Sequence, residues 1–344
     1  MSLILESIKT ALLEGEVTVN LKEASALTGS GSGVGGRVIY DDAFASRREH
    51  NPLRDGSRII ETIGSDQAFV VKTGNSTLIQ NSTNNPWGYG VNNNTGSPNI
   101  ATSFWQLPVR SINAGVPIRS AVMSDINGLE EAIVSDLMLE FAEQESLSMM
   151  LNNDQAGSTT VNYGATSGLR GLNSYPGSTS AAAFGTSGSA ITNGLHTVLE
   201  VNHTHSSGLN YDDLVALQAA LPSQYLYKDT TAWMMHPSTI ATLRLLKSST
   251  TKNHFIELGS DDGGAVLYIF GHPVIPNPYM DVSGVGGYPV YLAEWSQFFT
   301  IADNEMMSIK RFDQTQPGFI YLFAEKRVCS TIRDVFAGVR LVGV

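Results

Sequence analysis

Residues 232–280 read AWMMHPSTIATLRLLKSSTTKNHFIELGSDDGGAVLYIFGHPVIPNPYM. The apolar run Ala232-Trp233-Met234-Met235 meets His236-Pro237-Ser238-Thr239. Proline lacks a backbone donor and suits the first turn of a helix, so the run reads as a buried strand that ends there, with Ser238 or Thr239 as the helix cap. Ile240, Leu243 and Leu246 then recur at helical spacing on one side, before polar residues 248–251. A polar loop follows, then an apolar strand, a turn at Gly271-His272-Pro273-Val274, and a second strand closed by Asn277-Pro278. Strand, helix, strand, turn, strand is the order of a mixed α and β domain.

The rest of the chain is compatible with a large protein of that kind. Its 344 residues can bury one large or two ordinary cores. Hydrophobic residues make up 42% and charged residues only 15%, against roughly 25% in ordinary globular chains. Small polar residues fill the difference, which suits a surface with extensive neighbour contacts. The net charge of −11 argues against affinity of the whole molecule for a nucleic-acid backbone. The single cysteine, Cys329, excludes an internal disulfide and reads as a small core residue of a strand. The N-terminus lacks the pattern of a secretory signal, and no run reaches the ~18 apolar residues of a membrane span.

Working outward, residues 2–13 pattern as a short amphipathic helix, and a Gly/Ser run occupies 29–36. Arg37, Arg47, Arg48, Arg54 and Arg58 make the next stretch the most basic of the chain, as in an arm that docks on a neighbour or an ordinary flexible leader. Residues 59–63, 68–73 and 76–80 alternate as strands; 81–99 are polar and rich in Asn, Gly and Pro; strand character resumes at 102–110. This is a long two-stranded excursion, which buries little of its own surface and needs a partner. Residues 124–152 carry the strongest helix signal, with Ile126, Leu129, Ile133, Leu137 and Phe141 on one face and Glu130, Glu131, Asp136, Glu140, Glu143 and Glu145 on the others. Such a helix spans roughly 40 Å. Residues 174–189 read as a surface loop and 211–221 as a helix started by Asn210. Short strands are predicted at 289–293, 298–302, 306–312, 319–325 and 328–334, and residues 337–344 end the chain.

Chemistry is sparse. Gly31, Gly33 and Gly36 fit a dinucleotide-loop spacing, but no apolar strand precedes them and no helix follows. His203 and His205 could share a strand face as metal ligands, yet no third ligand is marked and the neighbourhood is loop-like, so they read as solvated histidines. His236 and Ser238 are better used in starting a helix than as base and nucleophile. The sequence therefore predicts no catalytic residues, no cofactor and no metal.

The order of parts carries more than any motif. The helix at 124–151 leads to Gly168-Leu169-Arg170-Gly171-Leu172. Tyr211-Asp212-Asp213-Leu214, Ala232 to Pro237, residues 267–276, Ser308-Ile309-Lys310-Arg311-Phe312 and a closing Ala337-Gly338-Val339-Arg340-Leu341 follow in turn. From about Ile59 to the C-terminus this resembles the major capsid proteins of tailed bacteriophages, whose Hong Kong-type (HK-like) capsid fold is shared with encapsulins. The resemblance implies an α+β fold with an N-terminal arm (1–58), an extended β-hairpin E-loop (59–119), a peripheral domain with a long spine helix (120–173 and 303–344) and an axial domain (174–302). It implies a structural protein that self-assembles into pentamers and hexamers of an icosahedral shell around double-stranded DNA, synthesised in a host cytoplasm and located in the virion. Other copies of the chain would be its main partners, with a portal and decoration proteins. Only about fifty residues precede the excursion and Met1 resembles a translation start, so scaffolding is expected to be a separate protein. Expected assembly contacts are Arg47, Arg48, Arg54 and Arg58 against acidic surfaces such as Glu140 and Glu143, and Phe104, Trp105 and Leu107 against a neighbouring subunit. The alternatives are an encapsulin-like compartment and, in another class, a β-rich virion-surface or secreted binding protein.

Overall fold

The structure, a computed structural model, describes residues 50–72, 102–119, 129–158, 162–185, 191, 193–203, 208–246, 257–261, 264–283, 286–316 and 319–343. The expected helix at 2–13, Arg47 and Arg48, the excursion tip and the start of the long helix lie outside these residues.

The first described element, α1 (Pro52–Gly56), has proline in its first turn and Asn51 as its cap, whose side chain accepts the Leu53 N–H at 3.0 Å. Strands β1 (Arg58–Glu61), β2 (Asp66–Lys72), β3 (Thr102–Pro108) and β4 (Arg110–Arg119) follow. Only β2 and β3 form the separate two-stranded ribbon; β1 and β4 are the two edges of a four-stranded sheet. The two ends of the expected excursion are thus built into the body of the subunit.

The long helix is present as α2 (Leu129–Leu151). Its Leu137 and Phe141 are buried with Ala324, against a floor of Ile112, Ala114, Val116 and Ile309. One turn or more further on, Met149 and Met150 enter the main core. After α2 the backbone folds back sharply. The Asn152 side chain donates to the carbonyls of Ala165 and Leu169, and a Cβ at Gly171 would lie 2.5 Å from the Asn152 carbonyl oxygen.

Strands β5 (Gly177–Ser178) and β6 (Val198–Asn202) are followed by α3 (Tyr211–Ala220), α4 (Ser223–Leu226), β7 (Thr231–Met235) and α5 (Pro237–Leu245). Asn210 caps α3 as expected and completes a capping box with Asp213. The cap of α5 differs from the sequence reading: His236, not Ser238 or Thr239, occupies it, and its Nδ1 accepts the Ser238 N–H at 3.1 Å. With Pro237 as the first helical residue, the cap falls on the residue before it.

The chain continues through β8 (Glu257–Asp261), β9 (Gly264–Ile269) and β10 (His272–Pro276). The expected turn lies one step earlier, at Phe270 and Gly271, with φ +50° and +82°, so His272 begins a strand. Strand β11 (Val290–Glu294) and helix α6 (Trp295–Phe298) lead to β12 (Phe299–Gln316), β13 (Phe319–Ile332) and β14 (Gly338–Val342). Four predicted short strands are therefore two long ones. The hairpin changes register between Asp303 and Glu305, between Glu305 and Ser308, and between Phe312 and Gln316, which breaks the alternation that sequence reading relies on.

The larger sheet has the order β5-β6-β14-β11-β7-β10-β9-β8 and the four-stranded one β1-β12-β13-β4. The C-terminal strand β14 lies between β6 and β11, so it belongs to the larger sheet and not with the residues just before it. Every residue of β7 and β11 is buried, and Trp233 and Trp295 donate their indole N–H groups to the carbonyls of Ile269 and Ala232, both at 3.0 Å. Arg340 is fully buried there, held by Glu200 and the carbonyls of Leu172 and Tyr175 and stacked 3.7 Å from the Tyr288 ring centre. Part of the predicted loop at 174–189 is docked: β5 pairs with β6, Ala183 bridges Thr197, and Phe184 packs on the core. The fold is α+β.

Candidate assembly surfaces

The β2–β3 ribbon is antiparallel, with Phe69 opposite Trp105 and Val70 opposite Phe104. Alternation sends these pairs to opposite faces. The Phe69–Trp105 face is buried with Leu107, Ile191, Ala302 and Cys329 inside the same subunit. Trp105 is fully buried, lies 5.6 Å from Phe69 and 4.5 Å from His196 between ring centres, and donates to the Thr331 hydroxyl at 3.3 Å. The expectation that a neighbour covers Trp105 and Leu107 is corrected: they anchor the ribbon to its own subunit. Gly194, at φ +66°, allows this approach, since a Cβ there would sit 2.4 Å from the indole. On the other face Phe104 is 63% and Val70 58% exposed, side by side across the strands.

The end of the arm is also tied inward. Arg54 donates to both Asp303 oxygens at 2.8 Å and to Glu145 at 2.7 Å, and Glu145, fully buried on α2, also holds Lys326 at 2.5 Å. Burial alone would lower the Arg54 pKa, but the carboxylates of Asp303 and Glu145 outweigh it and raise it. Arg54 therefore serves this subunit rather than a neighbour, a second correction. Arg58 is exposed, whereas Glu140 and Glu143 are half-buried on α2.

His203 is not a solvated loop residue: its Nδ1 is 2.6 Å from the buried Asp213 carboxylate, with only 6% of its side chain exposed. His205 lies outside the described residues. Among the described residues no group of three or more His, Cys, Asp or Glu is placed to hold a metal, and no helix is long and apolar enough to cross a membrane. Cys329 is buried as expected, and burial pushes its thiol up to about 12.

Beneath the ribbon, buried His196 accepts the Gly185 N–H on Nδ1 at 3.1 Å and packs among Trp105, Tyr175 and Phe184. Burial, then the nearby Arg170 charge, lowers its pKa from 6.5 to about 4. The unfolded chain thus binds the extra proton first, so stability falls as pH drops from about 6.5 towards 4. His196→Gln should flatten the pH dependence of the melting temperature in that window, and an unchanged slope would refute the assignment.

An anchored ribbon, a long helix on a four-stranded sheet and an eight-stranded sheet define the shell-forming capsid fold. The phage capsid family model matches residues 37–341, and the chain belongs to that family. It is a structural capsid protein, of a kind that assembles into multimeric shells and resides in the virion capsid. The chain is similar to the capsid protein of a native GTA particle (TM-score 0.73, 14% identity, 95% of this chain and 100% of that one). It is also similar to a protein of Microbacterium phage Oxtober96 (0.60, 12%, 95% and 100%) and to the SrpI encapsulin of Synechococcus elongatus PCC 7942 (0.57, 10%, 95% and 96%). No curated protein matches its sequence.

Proposed function

We propose that copies of this chain form pentamers and hexamers of an icosahedral shell around double-stranded DNA, with the outer face of the β2–β3 ribbon laid over a neighbouring subunit. The observation that carries this reading is the ribbon's two-sidedness: one face is fixed by Trp105, while the other presents Phe104 and Val70 to solvent. Covering such side chains contributes about 1.5–3 kcal/mol each when complete, and closed symmetry repeats the contact at every copy. A separate scaffolding protein, a portal and decoration proteins belong to the same reading, as does synthesis in the host cytoplasm. So does a division into arm, excursion, peripheral and axial parts, with β1 and β4 assigned to the peripheral part and β14 to the axial one. No catalytic step is assigned to the chain.

Phe104→Glu tests the reading. The Phe104 side chain lies on the solvent face of the ribbon beside Val70, opposite the buried Phe69 and Trp105. The variant should fold with a wild-type circular dichroism spectrum and form no shells in electron micrographs; normal shells would refute the role of the ribbon's outer face. Deletion of 59–108 is a poorer test, because it removes β1 and the buried Trp105 as well. Likeness to an encapsulin favours a second reading, a compartment holding a cargo protein. The contents of particles purified from infected or expressing cells, nucleic acid or protein, separate the two.

A further inference from the structure

Beside the ribbon root lies a cleft of about 450 Å³, lined among others by Arg58, Val70, Phe184, Arg333 and Phe336. It brings two cations together. Arg58 projects from the edge strand β1, and Arg333 follows β13, donating to the Val70 carbonyl and lying 5.8 Å from the centre of the Trp105 ring. Burial, and then the proximity of Arg58, lower the Arg333 pKa, the sign of a positive charge incompletely compensated. The acid in the cleft wall, Asp334, is already engaged, accepting the Tyr225 hydroxyl at 2.6 Å and the Phe336 N–H at 3.0 Å. The Asp334 charge offsets part of that of Arg333, while the hydrogen-bond and ring partners of Arg333, a carbonyl and an indole, are neutral.

The rim is apolar: Val70 is 58% and Phe336 39% exposed, and Phe336 stacks edge-on with Phe184 at 5.6 Å. Val70 also belongs to the exposed face of the ribbon, so cleft and ribbon face form one continuous surface. A phosphate backbone would satisfy the arginines but leave the apolar rim uncovered. A protein segment with an acid beside an aliphatic side chain covers both. A chain with 32 acidic and 21 basic residues presents such acids on its copies.

We propose that this cleft receives a carboxylate-bearing segment of a second copy of the chain, its acid lying between Arg58 and Arg333 and its apolar neighbour against Val70 and Phe336. The inference rests on the shell reading and adds a site to it. The charge pair gives register and orientation to a contact whose apolar part alone would slide.

Arg58→Glu tests it, because Arg58 is exposed and its backbone pairing with β12 does not involve the side chain. Thermal melting should be unchanged, while the protein concentration at which half the chains sediment as particles should rise about tenfold or more, as like charges meet in the cleft. A photo-crosslinking residue at position 58 should, in wild-type-sized particles, join two copies through a peptide containing Asp or Glu. Wild-type particles together with an unchanged Arg58→Glu threshold overturn this inference and leave the shell reading standing. Crosslinks to nucleic acid, or within one copy only, overturn it equally. Failure of the wild type itself to form particles overturns both readings.

Discussion

Trp105→Ala is expected to destabilise the subunit by about 3–5 kcal/mol, the usual cost of truncating a buried tryptophan. The indole joins three parts of the chain: Phe69 on the paired strand, His196 below, and Arg333 and Thr331 at the end of β13. Its loss removes the anchor of the ribbon as well as core volume. Hydrogen exchange should therefore rise first in β2 and β3, before the eight-stranded sheet responds, since the latter's core is a separate cluster. Chemical denaturation gives the magnitude. A loss below about 1 kcal/mol, or uniform exchange throughout, would contradict an anchoring role.

Glu145→Ala should cost about 3 kcal/mol, because it leaves charged partners without the buried group that compensates them. Glu145 has no exposed surface and gathers Asn51, Arg54 and Lys326, so a single carboxylate ties the end of the arm to α2 and β13. Arg54 retains Asp303 in the variant, and the side chains of Arg54 and Lys326, 21% and 16% exposed, can turn toward water, which limits the loss. Glu145→Gln keeps an acceptor for Arg54 and should lose less. Increased proteolysis around residues 50–57 would mark release of the arm's end. Wild-type stability in the alanine variant would show the cluster to be idle.

Much of the architecture was legible because it rests on local physics. Trp233, Met234 and Met235 followed by Pro237 specify a buried strand and a helix start, and both are present. Asn210 and Asp213 form their capping box. The turn at Phe270 and Gly271 was misplaced by one step because a bulky residue at φ +50° disguises the positive-φ pair. The β12–β13 hairpin read as fragments because its register shifts interrupt the period of two.

The assembly surface was legible only in part, and for a different reason. Alternation along Thr102–Pro108 separates Phe104 from Trp105, but it does not state which face the subunit keeps for itself. Only the placement of Ile191, His196 and Cys329 beneath Trp105 decides it. Arg54 similarly looked like its neighbours in a basic run, since its partners are 91 and 249 residues away. The partner of His203 is closer in sequence, Asp213 being 10 residues on, but their pairing depends on how β6 packs against α3. Long-range pairing of charge leaves no periodic trace in a sequence.

Whether the exposed ribbon face becomes an intersubunit surface of a closed shell is decided by electron cryomicroscopy of particles formed by the full chain. The expected result is a closed shell in which Val70 and Phe104 are covered by an adjacent subunit while Trp105 stays within its own. Shells with Val70 and Phe104 facing solvent, or a protein that remains monomeric under assembly conditions, would contradict it.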